Sequence, residues 1–346
     1  MNCVKVDIKN NRTIFANEEI PKVESDEDVI VKVAYAGFCG TDIHIIKGEF
    51  TNARDGVILG HEVAGTIVNV SGKYSHLAIG DRVAVNPNLS CGICVPCKRL
   101  KNNFCKGGGS ENAIGIVQNG GWAEYVKAHV SQVTKIPDHL SLEQAALCEP
   151  LSCIIHGLDK LHDLDMGSNI LIIGAGIIGI LWSCLLHALG HRNVIISSSN
   201  VKRRNVLSEI GLGYKCMSWQ EILQYKRENP EYMADICIDC SGNSEAMQAA
   251  LPLIENGGTL LIFGVAEPEK TIIINPFKVY SKEITVSGAV INTPNSFERA
   301  VSYIESMSKT YLKIEKLGIG TFSLNEHESA VNAFQKGSFT KIMFKV

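Results

Sequence analysis

The 346-residue chain has no cationic excess: 33 Lys and Arg face 36 Asp and Glu, for a formal net charge of −3. Binding to nucleic acid or an anionic membrane draws on clustered positive charge, so neither partner is expected. No uninterrupted apolar run reaches the ~20 residues that a membrane-spanning helix needs. Met1 to Asn10 alternate apolar and polar residues and lack the apolar core of a secretion signal. Repeats and low-complexity tracts are missing as well. These absences predict a soluble, cytoplasmic protein. With 45% hydrophobic and 20% charged residues, wholesale disorder is excluded and a sizeable core can form. A prior of roughly 150 residues per domain suggests about two domains.

Cysteine, by contrast, is plentiful. There are 12, and Cys91, Cys94, Cys97 and Cys105 crowd into one short segment. The other eight are scattered, mostly in apolar stretches, and read as small buried hydrophobes. The spacing Cys91-x2-Cys94-x2-Cys97-x7-Cys105 lets four thiolates converge on one tetrahedral Zn²⁺, with Zn–S near ~2.3 Å and no open position. One rival is an iron–sulfur cluster, whose bacterial cysteine run has a shorter last gap. Another is a nucleic-acid zinc module, suggested by Lys98, Arg99, Lys101 and Lys106. The acidic whole and the lack of interleaved aromatics speak against it. A closed structural zinc is the expectation.

The first ~150 residues are β-rich, with short alternating or β-branched runs at 28–36, 62–70 and 81–85. The texture then changes. An apolar run at 169–173 leads into Gly174-Ala-Gly176-Ile177-Ile178-Gly179 and a helical stretch over 180–189. Strands are predicted at 193–197, 235–239, 259–264 and 284–289, with helices at 201–210 and 245–255. Such alternation indicates βαβ units and a parallel sheet. A helix over 296–306 and a strand over 341–346 close the chain. An α/β protein follows, with a doubly wound domain inserted into a β-rich one.

Gly174-x-Gly176-x-x-Gly179 is a weak motif alone, but here a strand precedes it and a helix follows. In that setting the glycines make the tight turn, admit a pyrophosphate and let helix pack on strand, and the helix N-terminus at Ile177 and Ile178 faces the phosphates. A carboxylate about twenty residues on would hydrogen-bond the ribose of NAD. It is absent. Ser197, Ser198 and Ser199 stand there, followed by Lys202, Arg203 and Arg204. Hydroxyls and cations suit a 2′-phosphate, so NADP(H) is preferred over NAD(H); Arg203 is a candidate contact, and the sequence leaves the choice among Lys202, Arg203 and Arg204 open. The plainer reading is that the serines cap the next helix and the cations form its solvated face.

Three further segments are poor signals singly: Cys39-Gly-Thr41-Asp-Ile-His44, Gly60-His61-Glu62 and Cys148-Glu149-Pro150. His61 reads equally as a core histidine, Glu62 as a surface acid and Cys39 as a small buried residue. Taken together with the cysteine lobe and the glycine motif, in this order and spacing, the whole chain resembles a zinc-dependent medium-chain alcohol dehydrogenase. Glu149-Pro150-Leu151 and the ending from Lys336-Gly to Lys341-Ile-Met resemble the polyol dehydrogenase branch, with its sorbitol, xylitol and arabinitol enzymes.

The resemblance implies a GroES-like catalytic domain over 1–152 and 291–346, carrying the cysteine lobe at about 88–108, and a Rossmann domain over 153–290. It implies a homodimer or homotetramer that pairs Rossmann edges. It also implies a second, catalytic zinc held by Cys39, His61 and Glu62, with Glu149 a direct or water-linked ligand. Three protein ligands leave the replaceable position a catalytic metal needs. The implied reaction interconverts a small alcohol and its ketone by hydride transfer, and Thr41 and His44 carry the proton. One departure stands out: the arginine and aromatic that sorbitol-type enzymes carry after the last Rossmann strand are replaced by Gly288-Ala-Val-Ile-Asn292-Thr. The leading expectation is an NADP(H)-preferring polyol or ketose oxidoreductase. The alternatives are a dehydrogenase of a butanediol, a threonine-like amino alcohol or a sugar-alcohol phosphate, with NAD(H) admitted, and a non-catalytic protein reusing the fold. The presence of Cys39, His61 and Glu149 disfavours the last.

Overall fold

The computed structural model describes every residue except 51, 72, 74, 75 and 163. The chain divides into two compact units, one of Met1–Cys153, Ile291–Lys309 and Ile319–Val346, the other of Ile154–Val290 and Thr310–Gly318.

The first unit is built on a seven-stranded sheet. Its long strand Asp28–Phe38 pairs antiparallel with Glu62–Val70 on one side and Lys341–Lys345 on the other, and Tyr125–His129 also joins it. Alternation sets the faces: Val29, Val31 and Val33 are buried while Lys32 points to water. Phe38, Trp122, Phe334 and Phe344 stack inside, with Phe38–Trp122 and Phe38–Phe334 centroids 4.8 and 4.7 Å apart. Register then does the decisive work. Gly37 lies opposite Glu62, and Ile342 opposite Phe38. The strand ends carrying Cys39, His61-Glu62 and Lys341 therefore meet at one end of the sheet. At Cys39 the chain turns into the helix Gly40–Ile46, an element that the β-rich pattern of the first ~150 residues does not predict.

The second unit is a six-stranded parallel sheet. Numbered along the chain, its strands lie in the order 3-2-1-4-5-6: Lys215–Met217, Val194–Ser197, Ile170–Ile173, Ala234–Asp239, Ile254–Ile262 and Thr285–Gly288. That is the order of dinucleotide-binding sheets, whose ligands sit at the carboxyl ends of the strands where the order reverses. Ile170, Leu171 and Ile172 are fully buried, as a central parallel strand covered on both faces requires. The helix expected over 245–255 ends at Ala250. Pro252 cannot continue it, and Ile254 already starts the next strand. Segment Thr310–Gly318, expected with the first domain, belongs to this unit. Its Tyr311 ring meets His187 edge-on at 4.8 Å, and Lys316 Nζ donates to the Glu209 carbonyl.

Gly60 illustrates how closely the first unit is packed around its ligand-bearing strand ends. Its φ is +91°, and a Cβ there would lie 2.2 Å from Trp122 Cδ1 and 2.9 Å from the Trp122 backbone nitrogen. Gly60→Ala is expected to cost about 2–4 kcal/mol, from left-handed strain and overpacking together. Denaturant unfolding of the variant checks this, with a midpoint equal to that of the parent as the contrary result.

Candidate active site

The cysteine lobe is preformed. The ligand atoms of Cys91, Cys94, Cys97 and Cys105 all lie within 4.8 Å of one another. Cys91 and Cys97 Sγ are 4.0 Å apart, and Cys94 and Cys105 Sγ 3.9 Å. A tetrahedron with ~2.3 Å arms has edges of ~3.8 Å, so the four thiols fit a closed zinc site. Backbone N–H groups of Cys94 and Ile93 point at the Cys91 sulfur and lower its pKa to about 6, which favours the thiolate a metal requires. This lobe has no open position for substrate.

The second cluster unites Cys39, His61 and Glu62, whose ligand atoms also lie within 4.8 Å of one another. Cys39 starts the helix Gly40–Ile46, and its backbone N–H donates to Asp42 Oδ2 at 2.7 Å. Asp42, fully buried, faces His61 Nδ1 with Oδ1 at 3.5 Å. Neither atom has a hydrogen-bond partner among the described residues. Burial opposes protonation of His61, yet Asp42 and then Cys39 outweigh it and hold its pKa well above the ordinary value. A carboxylate behind a histidine in this manner orients the ring toward a metal. Gly37 makes room for the Glu62 carboxylate, since a Cβ at 37 would lie 1.7 Å from Glu62 Oε2. This donor set, with orphaned buried atoms converging on it, fits a divalent cation.

Two features went unread in the sequence. Lys341, buried to 3% exposure, donates to Glu62 Oε1 at 2.5 Å and sits against Oε2 outside hydrogen-bond geometry. Cys153 donates to Glu149 Oε1 at 3.4 Å, one turn along the helix Cys148–Leu158. Glu149 is buried beside this cluster but is not one of the three converged donors. Burial, followed by the attraction of His61 and the repulsion of Glu62, leaves its pKa raised to about 7. Thr41 Oγ1 accepts from Cys39 Sγ at 3.7 Å, and His44 Nδ1 lies 2.6 Å from Glu49 Oε2.

In the second unit, Gly174 has φ +106°, and a Cβ on Gly179 would lie 2.0 Å from the Gly174 carbonyl oxygen. Both glycines are therefore obligatory, one for the turn and one for close packing. The helix Ile177–Ala188 opens at Gly176 with no side-chain cap, so its first-turn N–H groups are free for an anion. Ser197 and Ser198 are nearly buried at the end of Val194–Ser197, and Ser199 is exposed. The cap of the following helix is Asn200, which accepts from Arg203 N; Ser198 Oγ in turn accepts from Asn200 N. Among the three cations, Arg204 is engaged by Glu221 at 2.7 Å and Lys202 is exposed. Arg203 reaches the glycine turn, its Nη1 being 3.8 Å from where a Cβ on Gly176 would stand. Its buried Nε has no partner, and burial pulls its pKa down.

Residues 25–138 match the alcohol dehydrogenase GroES-like domain, and 178–306 the zinc-binding dehydrogenase domain. The chain is 32% identical to D-arabinitol dehydrogenase 1 of Uromyces fabae over 94% of its own length and 92% of that protein. It belongs to the zinc-binding alcohol dehydrogenase family. D-arabitol-phosphate dehydrogenase of Enterococcus avium is 30% identical, over 96% of this dehydrogenase and 93% of that one. A zinc-binding dehydrogenase of Sinorhizobium meliloti 1021, solved with NADP bound, superposes with a TM-score of 0.89 at 30% identity, covering 100% of this chain and 99% of that one. No helix among the described residues of the dehydrogenase is long and apolar enough to cross a membrane.

Lys341 supplies the charge that makes a buried Glu62 tolerable. Lys341→Met is expected to destabilise the dehydrogenase by about 3–5 kcal/mol, the usual cost of leaving one member of a buried ion pair alone. Urea titration at constant zinc reads this out, and a loss below about 1 kcal/mol, the scale of an exposed pair, contradicts it.

Proposed function

We propose that the dehydrogenase interconverts a polyol and its ketose with NADP(H) as the preferred cofactor. The observation that carries the reading is a converged donor set of one half-buried thiol, Cys39, with one buried imidazole and one buried carboxylate, His61 and Glu62, in a chain related to arabinitol enzymes. These three residues would hold the catalytic metal, with Glu149 alongside as a direct or water-linked ligand. Cys91, Cys94, Cys97 and Cys105 would hold a second, structural one. When bound, zinc supplies Lewis acidity toward an alcohol or ketone oxygen, and the dinucleotide supplies the hydride acceptor or donor.

The chain's own groups do the rest. Asp42 orients His61, and Lys341 balances Glu62. Thr41 and His44, one turn apart on the same helix, are suited to pass a proton from the substrate side toward water. In the second unit, Gly174, Gly176, Ile177, Ile178 and Gly179 would seat the pyrophosphate. Ser197, Ser198 and Ser199 would surround a 2′-phosphate, and Arg203 would pair with it. Support comes from an Arg203 guanidinium whose buried Nε has no hydrogen-bond partner among the described residues and from the NADP bound to the Sinorhizobium protein.

A homodimer or homotetramer fits the edge strand Thr285–Gly288, where Val286 and the neighbouring Phe277, Tyr280 and Val290 are exposed. A reducing, cytoplasmic setting fits twelve unpaired cysteines. Activity with four- to six-carbon polyols, ketoses, sugar-alcohol phosphates and simple secondary alcohols, each with NADP(H) and NAD(H), tests the substrate class. Exclusive turnover of simple alcohols would remove the polyol reading.

Two mutational predictions accompany it. Elemental analysis is expected to find two zinc ions per active chain. Cys94→Ser should then lose one of them together with thermal stability, because structural zinc contributes folding free energy, whereas Cys39→Ser should stay folded and inactive. One zinc in fully active enzyme defeats this. For the cofactor, Arg203→Ala is expected to lower kcat/KM for NADP by roughly 10- to 100-fold, the value of one charge-assisted contact, with little effect on NAD. Ser198→Asp should reverse the preference by placing a carboxylate against the 2′-phosphate. Parent enzyme that uses NAD at least as well as NADP would show the serine argument to be wrong.

A further inference from the structure

We propose that Glu49 is a positioning residue that fixes the tautomer and orientation of His44, leaving His44 Nε2 as the atom that takes up and releases the proton. The proposal rests on the reading of His44 as the proton carrier.

The backbone arranges the pair. In the helix Gly40–Ile46, Thr41 and His44 stand at i and i+3 and share a face. That face begins at the metal-ligand cluster, since Thr41 Oγ1 is 3.7 Å from Cys39 Sγ. Beyond the helix, Gly48 turns the chain with φ +71°, where any side chain would be strained and a Cβ would crowd Ile8. The turn returns Glu49 to His44 twice over. Its backbone N–H donates to the His44 carbonyl at 2.9 Å, and its Oε2 lies 2.6 Å from Nδ1 of the same residue.

An ionised carboxylate only accepts, so the Nδ1 at that distance must be the protonated nitrogen. Nε2 then keeps its lone pair. The hydrogen bond made by one imidazole nitrogen dictates the state of the other, as in the catalytic triads where a buried aspartate holds a histidine base. Here the dyad is partly wet: the His44 side chain is 27% exposed and that of Glu49 43%. A proton received at Nε2 can thus leave to water. Lys47, 4.0 Å from Glu49 Oε1, is the charged neighbour on the same turn and leaves Oε2 to the histidine. A pair with no functional role fixes the same tautomer but predicts no change in turnover when Glu49 is removed.

The test uses zinc-loaded enzyme labelled with ring-¹⁵N histidine, with the parent compared to Glu49→Ala, Glu49→Gln and His44→Ala. The resonance lost in His44→Ala identifies the ring. At alkaline pH the parent is expected to show His44 protonated at Nδ1 and bare at Nε2. Glu49→Ala should shift that ring toward the opposite tautomer and lower kcat by roughly 10- to 100-fold, part of the ~10²–10⁴ that a placed proton carrier contributes, with KM changed less than about threefold. Glu49→Gln, whose amide oxygen still accepts from Nδ1, should keep the tautomer and restore most of kcat. A parent-like tautomer and kcat in Glu49→Ala would overturn the proposal. A shifted tautomer in Glu49→Ala beside an unchanged kcat in His44→Ala would overturn the proton-carrier reading instead, which separates the two failures.

Discussion

The first unit is organised around a balance of buried charge. Asp42, His61, Glu62, Glu149 and Lys341 all lie below 9% exposure at one end of its sheet. Each ion removed from water costs several kcal/mol unless partners replace the lost solvation. Lys341 answers Glu62, and a His61 held toward its charged form answers Asp42. Glu149 remains. Its carboxyl, pushed up to about 7, is the group this arrangement leaves least compensated. A dication held by Cys39, His61 and Glu62 would displace the His61 proton and still add positive charge beside Glu149. The same burial that makes the cluster expensive without a metal makes it strong with one.

That balance depends on register, not only on residue type. Gly37 opposite Glu62 and Ile342 opposite Phe38 bring three strand ends together. A one-residue slip would turn every side chain of the slipped strand to the other face. The glycine at 37 serves a different need from those at 174 and 179. It is extended rather than left-handed, and what it provides is volume for a carboxylate. Trp122 Nε1 donates to the Gly37 carbonyl and fastens the strand at the same point.

What could be read from the residues alone follows from locality. The cysteine lobe and the glycine turn each compress their chemistry into one short segment, so spacing carries the geometry, whereas Cys39, His61 and Glu62 are singly poor signals and entered only with the family resemblance. The parallel strands were legible because buried strands are continuous apolar runs, as in Ile170–Ile173. Lys341 was not, because its partner lies 279 residues away and only the strand register joins them. The choice among Lys202, Arg203 and Arg204 was likewise closed to sequence, since consecutive helical residues point in different directions. Coordinates separate them: one is exposed, one is engaged by Glu221, and one reaches the glycine turn. The helix that ends at Ala250 was overextended because its helical pattern outran Pro252.

The two candidate clusters, one in each unit, therefore differ in how they can change. The candidate metal cluster is tied to buried partners: the Cys39 backbone N–H donates to Asp42, Asp42 also faces His61, and Lys341 donates to Glu62. Single substitutions there leave a buried charge or an empty acceptor, whose penalty exceeds the net worth of the contact removed. The proposed cofactor determinants are arranged otherwise. The Ser198 backbone N–H donates to the Met217 carbonyl at the strand end while its Oγ accepts from Asn200 N, and Arg203 reaches the glycine loop with a buried Nε that has no partner among the described residues. On the proposed reading, one or two substitutions in a single turn of the second unit would shift cofactor preference, while the candidate metal cluster of the first unit would change only as a set.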